Sequence, residues 1–266
     1  MKRAVLLAFS AVLVIRGQDA AEIVRQSVDR DATNFERFKN YTFLERVEDR
    51  RYNSSGSLSS KEIQTYEFMV LGGRPYGKLV EKDDKLLPAK QARREQEKVD
   101  KESAKRQRES ASDKAREEKD RTEERRYLRE VPEAFSLTVR GTEEIGGRPV
   151  WVIEAQPKPG YKPKLKRAEL LAHLRGRIWV DQADYQWAKA EVEVIDPISF
   201  GLGLLKLAAG SVLKFDQIRV NDEVWLPAHI SVRANARLAY LRKLREELDI
   251  TYRDYRKFQT DSRIVE

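Results

Sequence analysis

The chain has 266 residues, 40% of them apolar and 36% charged, enough for one large domain or two small ones. It has no cysteine, which excludes thiol catalysis, cysteine-ligated zinc and disulfides. The net charge of +8 shrinks once it is located: Lys2, Arg3 and Arg16 carry three, and residues 83–130 hold 16 basic and 14 acidic groups. The remaining surplus of about three is too weak to make nucleic-acid binding the main task.

Lys2 and Arg3, the apolar run 4–15 and the small residues near 17–21 have the layout of a secretory signal. The run is short for a bilayer-spanning helix. Residues 1–20 are therefore expected to be a signal peptide and, with no cysteine to acylate, the product to be periplasmic and not lipid-anchored. Residues 21–266 are expected to form a single domain. Ala21, Val24, Val28, Phe35 and Phe38 recur at helical spacing and predict an amphipathic helix from Ala20 to about Lys39. Strands follow at 41–51, 62–71 and 76–81, divided by Asn53-Ser54-Ser55-Gly56-Ser57 and by Gly72-Gly73-Arg74-Pro75.

The composition then changes. From residue 88 to 129 Val99 and Leu128 are the large aliphatic side chains, while favourably ordered pairs such as Glu97 with Lys101 and Glu117 with Arg121 support helix. The segment 83–130 is thus a charged helical insertion. It reads either as one solvated rod or as two helices broken at Ser110-Ala111-Ser112-Asp113, a capping composition. Strands resume at 135–141 and 150–155 around a second Gly-Gly-Arg-Pro at 146–149. The prolines at 157, 159 and 163 force an irregular crossing, and residues 165–174 read as a short helix closed by Gly176.

The stretch 176–195, G-R-I-W-V-D-Q-A-D-Y-Q-W-A-K-A-E-V-E-V-I, organises the rest. Its second half alternates, predicting Ala188, Ala190, Val192 and Val194 on one face and Trp187, Lys189, Glu191 and Glu193 on the other. Residues 196–210 read as a short helix or flap over the sheet, and strands at 211–220, 229–241 and 247–255 close the chain. The fold class is mainly β (α+β): a curved antiparallel sheet with one wet and one apolar face, covered by helices.

Neither His173 nor His229 has a metal ligand or catalytic partner at useful spacing, and no G-x-S-x-G, P-loop or dinucleotide fingerprint occurs. No catalytic residue, metal or cofactor is expected, and the protein is read as a non-enzyme. Small residues on the apolar face (Ala188, Ala190, Ala234 and Ala236) leave room for a covering helix or for a ligand.

The signal, the N-terminal amphipathic helix, the strand meander, G-R-I-W-V-D at 176–181 and the late Trp225-Leu226-Pro227 together resemble the outer-membrane lipoprotein-sorting proteins, the LolA/LolB-like periplasmic carriers. The insertion at 83–130 is not part of that pattern. The resemblance implies an unclosed half-barrel whose concave face receives a lipid or lipoprotein acyl chain. The residues expected to line that face are Ile153, Ile178, Val180, Ala190, Val192, Val232 and Ala234. The alternative is an envelope scaffold that binds a protein partner, or touches a membrane peripherally, through the insertion and an anionic-partner patch of Lys158, Lys162, Lys164, Lys166 and Arg167.

Overall fold

The computed structural model describes residues 19–200, 205–238 and 242–258. Residues 1–18 of the expected signal peptide lie outside them, while its last two residues, Asp19 and Ala20, begin the first helix. Helix α1 (Ala20–Phe38) starts where the Asp19 carboxylate accepts from the Ala21 amide, a side-chain cap for an otherwise orphaned donor. Four strands follow: β1 (Tyr41–Tyr52), β2 (Leu58–Leu71), β3 (Arg74–Lys82) and the short β4 (Lys85–Leu86). The insertion is two helices, α2 (Ala89–Arg108) and α3 (Ala111–Arg125), broken where the Ser110 hydroxyl caps α3 by accepting from the Asp113 amide.

A 3-10 turn (Arg126–Glu130) and one turn of helix, α4 (Val131–Ala134), lead into β5 (Phe135–Ile145) and β6 (Arg148–Pro157). After the proline crossing come a 3-10 segment (Lys166–His173), β7 (Leu174–Asp181), β8 (Trp187–Val194), β9 (Ile198–Phe200), β10 (Leu205–Leu207), β11 (Val212–Val220), β12 (Val224–Leu238) and β13 (Arg242–Lys257). The strands pair antiparallel in the order β4-β3-β2-β1-β13-β12-β11-β8-β7-β6-β5, while β10 extends β12 and carries β9. β4 and β5 lie at opposite ends of this path, so the sheet is open.

Three local expectations are corrected. Residues 198–200 and 205–207 are strands, not a helix; residues 201–204 lie outside the described part. Gly176 does not cap a helix but sits inside β7, where a Cβ would come 2.6 Å from the Glu191 carbonyl oxygen. A bulge between β7 and β8 pairs Val180 with Trp187 but Trp179 with Lys189. This extra residue turns Ala188 away from Ala190, into a cluster with Val150, Val152, Trp179 and Trp225, and brings Trp187 to the side of Ala190 and Val180.

The main core lies where α1, α4 and the 3-10 segment cover β5 to β8, with Val24, Ala134, Ile153, Ala168 and Val180 fully buried. Full burial of each Val or Ile contributes about 1.5–3 kcal/mol. The two Gly-Gly-Arg-Pro copies are alike in structure. Gly72, Gly73, Gly146 and Gly147 all have positive φ, as a two-residue type I′ hairpin demands. Each following arginine then reaches a pair of acids. Arg74 binds Glu109 at 2.5 Å and also Glu117, tying both insertion helices to the hairpin. Arg148 grips Asp181 at 2.6 and 2.8 Å and reaches Asp184 at 3.1 Å. Burial pushes the Asp181 carboxyl up, but Arg148 and the amides of Asp184 and Ala183 outweigh it and hold it below the usual carboxylate range.

Candidate functional site

The concave face is not sealed. Between α1 and the sheet lies a cleft of about 390 Å³, within the range of about 300–1,000 Å³ typical of small-molecule sites. Val28, Phe35 and Phe38 of α1 form its roof. Its floor is Trp187, Ala190, Val192, Leu213, Phe215 and Pro227 from β8, β11 and β12. Leu213 is 40% exposed at the mouth. The apolar strip continues outward, since Val232 pairs with Leu213 and Leu248, and Ile230 with Phe215 and Ile250.

One residue sets the height of the roof. The buried Asn34 donates to the Trp225 carbonyl at 2.7 Å and accepts from the Trp225 amide at 2.8 Å. β11 runs beside Trp225 on one edge of β12, but β13 pairs with β12 only from His229 onward, so this amide side chain satisfies Trp225 on the edge that β13 does not reach.

The insertion supplies one wall. Arg125, at the end of α3, ion-pairs with Asp31 and lies 4.4 Å from the centre of the Phe35 ring, beside Leu128. Lys39 bridges Glu36 at 2.7 Å and Glu118 at 2.8 Å. Burial lowers the Lys39 ammonium, but the two glutamates prevail and raise it. α3 is thus strapped to α1. α2 lies along β3, with Val99 buried and Arg106 donating to the carbonyls of Leu71 and Arg74 at 3.0 Å each. In the floor, the Trp187 indole nitrogen and the Gln217 side-chain oxygen are buried with no protein hydrogen-bond partner.

Ala190 and Val192 line this cleft. Ile153, Ile178 and Val180 lie in the core under α1 and α4, and Val232 and Ala234 lie farther out on β12, half-buried. Lys158, Lys162, Lys164, Lys166 and Arg167 are all exposed. Lys164 pairs with Glu133 at 2.7 Å, and the loop carrying these residues is pinned by the buried Glu130. The Glu130 carboxylate accepts from the amides of Lys164 and Leu165 at 2.9 Å each and from the Tyr161 hydroxyl at 2.6 Å.

Sequence reasoning did not single out Asn34, Arg125, Leu213, Phe215 or Gln217. The i, i+2 run of Leu213, Phe215 and Gln217 is the signal that marks them as sharing one face. His229, on β12, lies between Asp249 at 3.0 Å and Asp216 at 3.7 Å; Asp216 is its direct cross-strand partner on β11, and Asp249 lies diagonally across from it on β13. Among the described residues no group of three or more side chains could hold a metal ion, and no helix is long and apolar enough to cross a membrane.

An open antiparallel sheet with an apolar cleft under an N-terminal helix is the class of architecture these features define. In solved structures the chain is similar to a Vibrio parahaemolyticus domain described as that of an outer membrane lipoprotein-sorting protein, at 13% identity and a TM-score of 0.39 over 92% of this chain and 96% of that one. It is also similar to a LolA superfamily protein from Nitrosomonas europaea, at 10% identity and a TM-score of 0.33 over 93% and 97%. A third is a DUF1329 family protein from Desulfovibrio piger, at 11% identity and a TM-score of 0.34 over 93% and 96%. No protein-family model matches the chain, and no curated protein matches it.

Proposed function

We propose that the protein is an exported, periplasmic carrier or sensor that binds the acyl chain of a lipid or lipoprotein in the cleft between α1 and the sheet, and that it is not an enzyme. The observation that carries this reading is the cleft of about 390 Å³ with an apolar roof and floor, continued outward by half-exposed aliphatic residues. Its work is reversible burial of a hydrocarbon chain, at about 0.8 kcal/mol per methylene. The exposed Lys158, Lys162 and Lys166 are the groups proposed to meet an anionic membrane surface during loading or delivery.

The test joins native mass spectrometry and lipid extraction of the protein purified from its export compartment with titration of a fluorescent acyl probe. A co-purifying acyl lipid supports the reading, as does probe binding weakened about tenfold or more by Leu213→Asp, which sets a charge against the hydrocarbon. An apo mass together with equal probe binding by wild type and variant overturns it.

A further inference from the structure

A side cavity of about 110 Å³ adjoins the cleft of about 390 Å³, and the two share Val28, Asp31, Phe35, Arg125 and Leu128. These five residues form a seam. Val28, Asp31 and Phe35 are three and four positions apart and so stand on one face of α1. Arg125 and Leu128 come from the end of α3 and from the 3-10 turn that follows it. On the outer side of the seam the side cavity is rimmed by Glu36, Glu118, Arg126 and Arg129, whereas the cleft on the inner side has a mainly apolar floor.

Within the seam, the half-buried Arg125 is the side chain that polar contacts fix in place. Its guanidinium ion-pairs with Asp31 and stands 4.4 Å from the centre of the Phe35 ring, a cation over an aromatic face. Asp31 and Phe35 are i and i+4 on α1, so one head group is held against two successive turns. An arginine fixed in this way lends its aliphatic stem to an apolar wall while its charge is satisfied by other groups. The second strap between the same helices, Lys39 to Glu118 at 2.8 Å, is separate from the seam, because Lys39 borders neither space.

We propose that Arg125 determines the chain-length specificity of the cleft: its side chain is the partition that stops a bound hydrocarbon from running on into the side cavity. This rests on the acyl-binding reading above and adds to it a limit on the length of chain that fits. The ligand stays within the cleft, and the side cavity remains outside the site for as long as Arg125 is held by Asp31 and Phe35. Truncating Arg125 to alanine removes the side chain that both spaces share and joins them. The insertion thereby contributes a residue that selects the ligand, in addition to its own contacts with the sheet.

The experiment titrates the full-length protein with uncharged monoacylglycerols of increasing chain length, from monocaprylin to monostearin, so that loss of the arginine charge has no head group to act on. Wild-type affinity is expected to rise about fourfold per methylene buried and to level off once the cleft is full. Arg125→Ala is expected to bind monocaprylin as wild type does, which shows it to be folded, and to move the levelling point to longer chains. Two further buried methylenes correspond to a gain of about tenfold or more for those probes. Adding Ala32→Leu, which fills the side cavity alone, should restore the wild-type profile. Lys39→Met loosens the other strap and should leave the profile unchanged. If Arg125→Ala keeps the wild-type levelling point, or Lys39→Met shifts it equally, the partition fails while the cleft stands. A wild-type affinity that climbs to monostearin without levelling overturns the partition whatever the variants do. If no probe binds the wild type, the acyl-binding reading fails with it.

Discussion

Asn34→Ala tests the height of the cleft roof directly. The side chain makes two hydrogen bonds to Trp225, one donated and one accepted, across 191 positions of sequence. A typical buried hydrogen bond contributes about 0.5–1.5 kcal/mol net, and an orphaned buried partner costs about 1–3 kcal/mol. Here the substitution strands both the amide and the carbonyl of one residue, neither of which β13 can reach. A loss of about 2–4 kcal/mol is expected, which in a chain of this size lowers the melting temperature by about 5–15 °C. Scanning calorimetry measures it, and acyl-probe titration on the same samples reports whether α1 still roofs the cleft. Asn34→Asp sharpens the test. Its carboxylate still accepts from the Trp225 amide but faces the Trp225 carbonyl without a proton to offer, so at neutral pH it is expected to be at least as destabilised and to recover in acid. An Asn34→Ala change below about 0.5 kcal/mol, the scale of an ordinary surface substitution, refutes the clamp.

Gly176→Ala forces a Cβ to 2.6 Å from the Glu191 backbone oxygen, and strand β7 must shift against β8; a loss of about 1–3 kcal/mol is expected in urea unfolding. Glu130 is pushed up by burial but held below the usual carboxylate range by the Tyr161 hydroxyl and the amides of Lys164 and Leu165. With its folded value depressed, its contribution is complete above the ordinary carboxylate range and is lost as pH falls through the folded value. Glu130→Gln should therefore be less stable than wild type at pH 7, with the gap closing in acid, as urea midpoints across pH will show. Arg74→Ala removes the partner of Glu109 and Glu117 and should speed tryptic cleavage around the Glu109-Ser110 break while leaving the core transition in place; equal digestion rates would sink this account of how the insertion is docked.

Most strands and turns are legible in the sequence because they obey local rules. α1 follows its 3.6-residue stripe, and the Gly-Gly dipeptides mark hairpins because both central positions need positive φ. Ser110 marks the break in the insertion because its hydroxyl can cap a helix. What escapes is whatever a distant partner decides. The bulge that moves Ala188 off the face of Ala190 is a register choice between β7 and β8, and strict alternation has no way to encode an extra residue. Gly176 looks like a helix stop when only its neighbours are considered, yet its constraint comes from the Glu191 carbonyl across the ladder. Asn34 sits in an unremarkable polar position of α1 until Trp225 is placed beside it.

The same distinction governs the candidate site. An apolar face is legible as a face, but whether a helix rests on it is not. Ile153, Ile178 and Val180 belong to the same concave surface as Ala190 and Val192, yet the first three disappear under α1 and α4 while the last two border open space. The insertion depends on its surroundings in the same way. Its lack of an apolar stripe describes a solvated helix only if its charges are left to water. Here they are used on the protein: Arg74 holds Glu109 and Glu117, Lys39 holds Glu118, and Arg125 stacks on Phe35 while pairing with Asp31. A wall of the apolar cleft is thus held by ion pairs at the protein surface. Such pairs weaken as salt screens them, while hydrocarbon burial in the cleft does not. The docking of this wall and the apolar packing of the cleft therefore respond in different ways to ionic strength.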